Sequence, residues 1–199
     1  MVLGITGKYC SGKNSFAELL AERGFHLIDV DRYGHRALER KKPELLREFG
    51  NEILTDSGEI DRKRLGSIVF SDEGRLRALE AVVHPAMKSM VAEEIRDRES
   101  AANIAINAAI LLRMGLEELC EGVVWVTASP PVRFFRALRR DGFAPLRVLK
   151  RMRSQRDVSP QFSSTDVDIY TVRNNGNLAQ LRKEAERVLK ELGVANGTE

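Results

Sequence analysis

The run Gly7-Lys8-Tyr9-Cys10-Ser11-Gly12-Lys13-Asn14 sets two glycines ahead of a lysine, a pattern suited to holding phosphate. Gly7 and Gly12 permit backbone angles and a closeness of approach that a side chain would obstruct. Successive N–H groups of such a loop turn inward on an anion, and a helix starting at Lys13 adds its positive end. Lys13 brings a full charge that reaches the β- and γ-phosphates of a nucleotide. The residues expected to line the phosphates are Gly7, Lys8, Tyr9, Cys10, Ser11, Gly12, Lys13, Asn14 and Ser15. In the usual pattern a Ser or Thr follows the lysine and binds Mg²⁺. Asn14 stands there instead, offering an amide oxygen on a bulkier side chain, and Ser15 lies one place further on. The competing reading, an ordinary glycine turn, does not account for the position of the run between a strand pattern and a helix pattern.

Two carboxylates, Asp29 and Asp31, close the second apolar run. On an extended chain an i, i+2 spacing puts both on one side. Beside bound phosphates, a carboxylate can hold Mg²⁺ water or accept a proton from an attacking hydroxyl. Capping of the following helix is the competing use for one of the two. A third feature is the arginine series at 133, 136, 139, 140, 147, 151, 153 and 156. Arginines folded over phosphates would offset the charge that spreads onto a transferred phosphoryl group. A solvated helix face is the plainer explanation for several of them. Nucleic-acid binding fits less well, since only Phe134, Phe135 and Phe143 are nearby for base stacking.

These groups need a scaffold that brings them together. Met1–Thr6 reads as a buried strand, and Lys13–Arg23 as a helix with Phe16, Leu19 and Leu20 on one face, stopped by Gly24. His26–Val30, Asn103–Asn107, Val123–Thr127 and Asp168–Val172 supply further strands, and Leu178–Leu192 a closing amphipathic helix. Strands separated by helices predict an α/β fold with a five-stranded parallel sheet, Met1–Thr6 central. Ligands of such sheets sit beyond the carboxyl ends of the strands, where the motifs fall. Between the second and third strands the pattern is almost wholly helical, either a substrate-covering lobe or a layer completing the core. There Asp61 is placed to cap a helix at Arg62–Phe70, Ser71 to cap the next, and Pro85 to kink or restart it.

Composition excludes several classes of function. The 199 residues carry 32 basic and 29 acidic side chains, a net charge of +3, too balanced for a dedicated nucleic-acid binder. Cys10 and Cys120 are too few for a disulfide framework, which points to a reducing cytoplasm. No apolar stretch approaches the roughly 20 residues of a membrane helix, and the first apolar run is too short for a signal peptide.

Taken in order, the motifs resemble those of the dephospho-coenzyme A kinase family, from Leu3 to about Leu192. Gly-Ile-Thr-Gly at 4–7 with Ser-Gly-Lys at 11–13 is similar to its phosphate loop. Ile28-Asp29-Val30-Asp31 with Gly34-His35 is similar to its Ile-Asp-x-Asp segment. Ile60 to Phe70 with His84-Pro85 resembles its coenzyme-binding helical insertion. Arg136, Arg140-Asp141-Gly142 and Gln155 match its lid, and Asn174-Asn175-Gly176 its adenine-side turn. The resemblance implies a P-loop kinase core (1–33, 99–139, 160–199), a substrate-binding insertion (34–98) and a lid (140–159). It implies transfer of the ATP γ-phosphate to the ribose 3′-hydroxyl of dephospho-CoA. Lys13 and the loop would hold ATP, with Arg136, Asn174 and Gly176 on the nucleotide side. Asp31 would be the base, Arg140 would stabilise the transferring group, and His35 and His84 would lie with Asp31 at the substrate. The Mg²⁺ expectation rests on Asn14 and Asp29. A monomer or weak homo-oligomer is expected, without nucleic-acid or membrane partners.

The chain departs from the family pattern at Asn14 (for Ser or Thr), Lys8 (commonly Gly), Asn107 (often Asp) and Arg113 (often Glu). Two other readings stay open at this stage. One is a P-loop kinase for a different small molecule or nucleotide; the other is a non-catalytic nucleotide-binding relative.

Overall fold

A computed structural model describes residues 1–98, 103–155 and 166–194. Contacts divide the chain into two units, Met1–Asp29 with Arg98–Glu199, and Val30–Asp97.

The first unit is built on five parallel strands: β1 (Val2–Gly7), β2 (His26–Asp29), β3 (Ile104–Asn107), β4 (Gly122–Thr127) and β5 (Ile169–Arg173). Their order is β2-β3-β1-β4-β5, with β1 in the middle as expected. A central parallel strand is covered on both faces, so β1 has no need of polar alternation. Leu3 and Ile5 are fully buried on one face with Ala105, Val124, Val126 and Val172. Helices α1 (Lys13–Ala21) and α8 (Leu178–Glu191) cover that face through Phe16, Leu19, Leu20, Leu181, Val188 and Leu189. Phe16 is completely enclosed, so Phe16→Ala should cost about 3–5 kcal/mol in cavity and transfer energy. On the opposite face Leu111 and Cys120 crowd Gly4, where a Cβ would lie 2.8 Å from one and 3.0 Å from the other. Burial raises the Cys120 thiol to about 12, making it a packing residue rather than a reactive one. Helix α1 ends two residues earlier than its apolar pattern suggested. Gly24, at φ 83°, turns the chain so that the Phe25 N–H bonds back to the Leu20 carbonyl.

The second unit, Val30–Asp97, is helical: α2 (Tyr33–Arg40), α3 (Lys42–Phe49), α4 (Arg62–Val69) and the long α5 (Glu73–Arg98), which runs one residue past it. Its apolar core includes Leu45, Phe49, Ile53, Leu65 and Val69. Asp61 caps α4 as expected, accepting from the N–H groups of Lys63 and Arg64. The next cap is Asp72 rather than Ser71, because the Ser71 hydroxyl donates back to the Ile68 carbonyl while Asp72 accepts from Gly74 and Arg75. Pro85 does not restart the helix. α5 continues through it, a single lost N–H being tolerable in a helix anchored by buried Val83, Ala86, Met87 and Met90.

Candidate active site

The phosphate loop spans the end of β1 and the start of α1, as its glycines require. Gly7 passes so close to β4 that a Cβ would lie 2.2 Å from the Val126 carbonyl oxygen. At Gly12, with φ 95°, a Cβ would meet Asn174 Nδ2 at 2.0 Å. That amide is the loop's brace, donating to the Ser11 carbonyl at 2.9 Å. Arg136, from α6 (Pro130–Asp141), completes the brace. Its guanidinium donates to the carbonyls of Asn174 (2.8 Å) and Gly176 (3.1 Å), and to Asn174 Oδ1 (3.2 Å). Asn175 fixes the same turn by accepting from the Ser129 N–H. Arg136, Asn174 and Gly176, expected at the nucleotide, are thus gathered at the loop, with Arg136 and Asn174 engaged in holding its backbone. Cys10 takes a left-handed angle, φ 58°, which costs a residue with a Cβ about 1–2 kcal/mol.

At the base of the loop the Lys13 ammonium lies 2.9 Å from Asn14 Oδ1 and 3.0 Å from Asn107 Oδ1. Asn107, buried at the end of β3, donates its own Nδ2 to Asn14 Oδ1 at 3.2 Å. Two neutral amides therefore clasp the lysine. This bears on Asn14 as a stand-in metal ligand. Its oxygen already accepts two hydrogen bonds, and Mg²⁺ needs oxygens at about 2.0–2.1 Å, usually with one or two carboxylates. The clasp, with an ammonium against both oxygens, does not fit a directly held dication. Asp29 lies alongside, in register with Asn107 on the neighbouring strand.

The pairing of Asp29 with Asp31 is different from the sequence expectation. β2 ends at Asp29, and Val30–Arg32 winds into a 3₁₀ turn, so strand alternation does not relate the two carboxylates. Asp31 begins the helical unit, exposed in that turn; His35 is exposed on α2 and His84 half-buried on α5.

The arginine series resolves into distinct environments. Gly142, with φ 61°, ends α6, and α7 (Pro145–Arg153) follows. Arg140 pairs with Asp141 through Nε (2.7 Å) and Nη2 (3.2 Å) and lies 5.3 Å from the Tyr9 ring centre. Arg151 approaches the same ring at 5.7 Å, and Arg147 stacks on Phe143 at 4.3 Å. The Tyr9 hydroxyl donates to Asp141, and its backbone N–H donates to Gln155 Oε1. The segment through Gln155 is thus tied to the loop by Tyr9. Arg140 and then the Tyr9 hydroxyl hold the Asp141 carboxyl down at about 2. Burial, and then the bond to Asp141, raises Tyr9. Arg156 and the remainder of the expected lid to 159 lie outside the described residues.

Sequence reasoning named Arg133 only within the arginine series and did not single it out. It is 8% exposed on α6, and among the described residues its Nη1 has no hydrogen-bond partner. The available signal was its spacing: Arg133, Arg136 and Arg140 share one face of a helix at i, i+3 and i+7.

A parallel sheet whose central strand feeds a braced glycine loop, with a lysine at the following helix start, defines the P-loop kinases, ATP-dependent phosphotransferases. Comparisons narrow the class. The dephospho-CoA kinase family model matches residues 1–180, and the chain belongs to that family. A dephospho-CoA kinase of Thermus thermophilus is 35% identical over 198 residues, covering 99% of this chain and 95% of that one. Its counterpart in Borrelia garinii is 31% identical over 194 residues, covering 96% and 94%. A crystal structure from Thermus thermophilus is similar with a TM-score of 0.77 at 34% identity, covering 96% of this chain and 97% of the other. A shikimate kinase from Bacteroides thetaiotaomicron, at 15% identity and a TM-score of 0.55 (97% and 98% covered), shares the fold. Among the described residues no helix is long and apolar enough to cross a membrane.

Proposed function

We propose that this chain transfers the γ-phosphate of ATP to the ribose 3′-hydroxyl of dephospho-CoA, giving CoA and ADP. The observation that carries the reading is the extent of the family match. It runs through the phosphate loop, which kinases of many acceptors share, and on through the whole helical unit Val30–Asp97. The acceptor-specific part is therefore included.

On this reading Lys13 and the loop from Gly7 to Ser15 bind the triphosphate. The N–H groups fix its oxygens, and Lys13 offsets the charge that grows on the bridging oxygen as the bond to the γ-phosphorus breaks. Asp31 accepts the 3′-hydroxyl proton as that oxygen attacks phosphorus. Arg140 leaves Asp141 to face the transferring group, and 140–159 acts as the lid. His35 and His84, with the insertion 34–98, bind the dephospho-CoA. Arg136, Asn174 and Gly176 shape the nucleotide side by holding the loop. Asp29 and Asn14 are the residues that would face a Mg²⁺ ion bound with the phosphates of ATP, which would supply charge neutralisation there. The protein works in the cytoplasm as a monomer or weak homo-oligomer.

The test is ADP release from ATP, measured with and without dephospho-CoA. Release that depends on dephospho-CoA supports the reading, and equal release in both arms contradicts it. Asp31→Asn should lower kcat about 10²–10⁴-fold while ATP still binds, the usual loss for a general base. A mild effect there, with Asp29→Asn crippling, would exchange the two roles.

A further inference from the structure

On the proposed mechanism the N–H groups of the phosphate loop hold the oxygens of ATP, and one of those groups is already engaged. The Tyr9 N–H donates to Oε1 of Gln155, 146 positions further along the chain. A backbone N–H can only donate, so it is the oxygen end of the Gln155 amide that faces the loop. Helix α7 delivers this side chain. Val148 anchors the helix by full burial, and Gln155 follows two residues past its end. One turn beyond Val148, Arg151 lies 3.8 Å from Asp141 Oδ2 and 5.7 Å from the Tyr9 ring centre. The Tyr9 hydroxyl donates to the same Asp141, which pairs with Arg140. Tyr9 thus holds the segment at both of its ends, through its backbone at Gln155 and its side chain at Asp141.

The two partners differ in kind. Asp141 is a carboxylate, whereas Gln155 is a neutral amide. A neutral oxygen satisfies a loop N–H, but a charged oxygen makes a bond roughly twice as strong. A phosphate oxygen arriving at the loop therefore wins the N–H from Gln155.

We propose that Gln155 is a displaceable placeholder for a phosphate oxygen on the Tyr9 N–H, so that ATP and the segment ending at Gln155 compete for the loop. The proposal rests on reading the loop as an ATP site. Breaking the Gln155 bond costs some ATP affinity. In return it couples arrival of the nucleotide to loosening of the segment that carries Arg140. The coupling is reciprocal, so whatever frees Gln155 tightens ATP by the same factor.

The experiment combines calorimetric titration of ATP, in excess Mg²⁺ and without dephospho-CoA, with NMR exchange of the Tyr9 N–H measured before ATP is added. Both use the whole protein and its Gln155→Ala variant. The Tyr9 N–H should exchange at least about tenfold faster in Gln155→Ala than in the wild type. The variant should bind ATP about 2–10-fold more tightly, the scale of one neutral hydrogen bond that no longer has to be broken. A side chain that served ATP directly would give the opposite sign. Unchanged or weaker ATP binding in Gln155→Ala would therefore overturn the proposal, as would equal exchange at Tyr9 in the two proteins. Should the variant fail to fold, as judged by its melting curve, the wild type decides alone. Its Tyr9 N–H should exchange at least about tenfold more slowly than in an unfolded chain, and exchange at the unfolded rate would overturn the proposal. Absence of ATP binding in both proteins would overturn the ATP reading as well. Intact ATP binding that Gln155→Ala does not tighten would overturn this proposal alone.

Discussion

The base and the rim of the phosphate loop position their cations through different groups. At the base, Lys13 lies between two uncharged amides at 2.9 and 3.0 Å. On the rim, Arg140 is fastened to a carboxylate, Asp141, which also accepts from Tyr9. An amide oxygen accepts from a cation and directs it, as Asn14 and Asn107 do for Lys13. A carboxylate must be left behind, so on the proposed mechanism Arg140 would reach the ligand only by exchanging one anion for another. On the same mechanism the base serves ground-state binding of the phosphates. On the proposed mechanism the rim supplies a contact made on closure, the kind of contact that raises kcat rather than affinity.

The largest effect should come from the base. Lys13→Ala removes the only point charge that the two amides hold, and turnover should fall about 10³-fold or more, with ATP affinity reduced as well. Unchanged turnover would remove the base from the account. Next is Arg140→Ala, which should lower kcat about 10²–10³-fold with little change in the Kd for ATP, a split that Lys13→Ala should not show. If Arg140→Ala weakens binding as much as it slows transfer, the contrast between base and rim fails. A smaller effect is expected of Asp141→Asn. It frees Arg140 and loosens the Tyr9 tie, so ligand-free hydrogen exchange through Gln155 should quicken while kcat changes by less than about tenfold. Exchange as slow as in the wild type would show that Gln155 alone holds the segment.

The smallest effect concerns pH. The Asp141 carboxyl is depressed in the folded protein to about 2, against about 3.9 for a free aspartate. A depressed carboxyl contributes its stabilisation above the unfolded value and loses it as pH falls through the folded one. The tie should therefore hold unchanged from neutral pH to about 4 and fail only toward 2. NMR titration of the Asp141 carboxyl carbon checks this, and a midpoint near 4 would mean that Arg140 is not paired in solution.

Much of this contrast was legible in the residues themselves. A glycine loop after a buried strand has few physical uses, and the five strands follow from apolar runs of the right length. Asp29 and Asp31 were misread as strand neighbours because nothing in Val30 marks where extended chain gives way to a 3₁₀ turn. Ser71 and Asp72 are both good caps, and only packing selects the second. Pro85 reads as a break until the buried residues around it are seen to hold the helix. Arg133 was lost among its neighbours, since an arginine in a charged series is by default solvated. Its burial is set by tertiary packing at the loop, as is the tie through Tyr9 to residues 132 and 146 positions away.

The central claim is the destination of the phosphate, and phosphorus NMR of the product tests it most directly. Incubation with ATP and dephospho-CoA should give a single new phosphomonoester coupled to the ribose 3′ proton, appearing in step with ADP. A phosphate on another oxygen, or ADP that accumulates with no new phosphomonoester, would contradict the account.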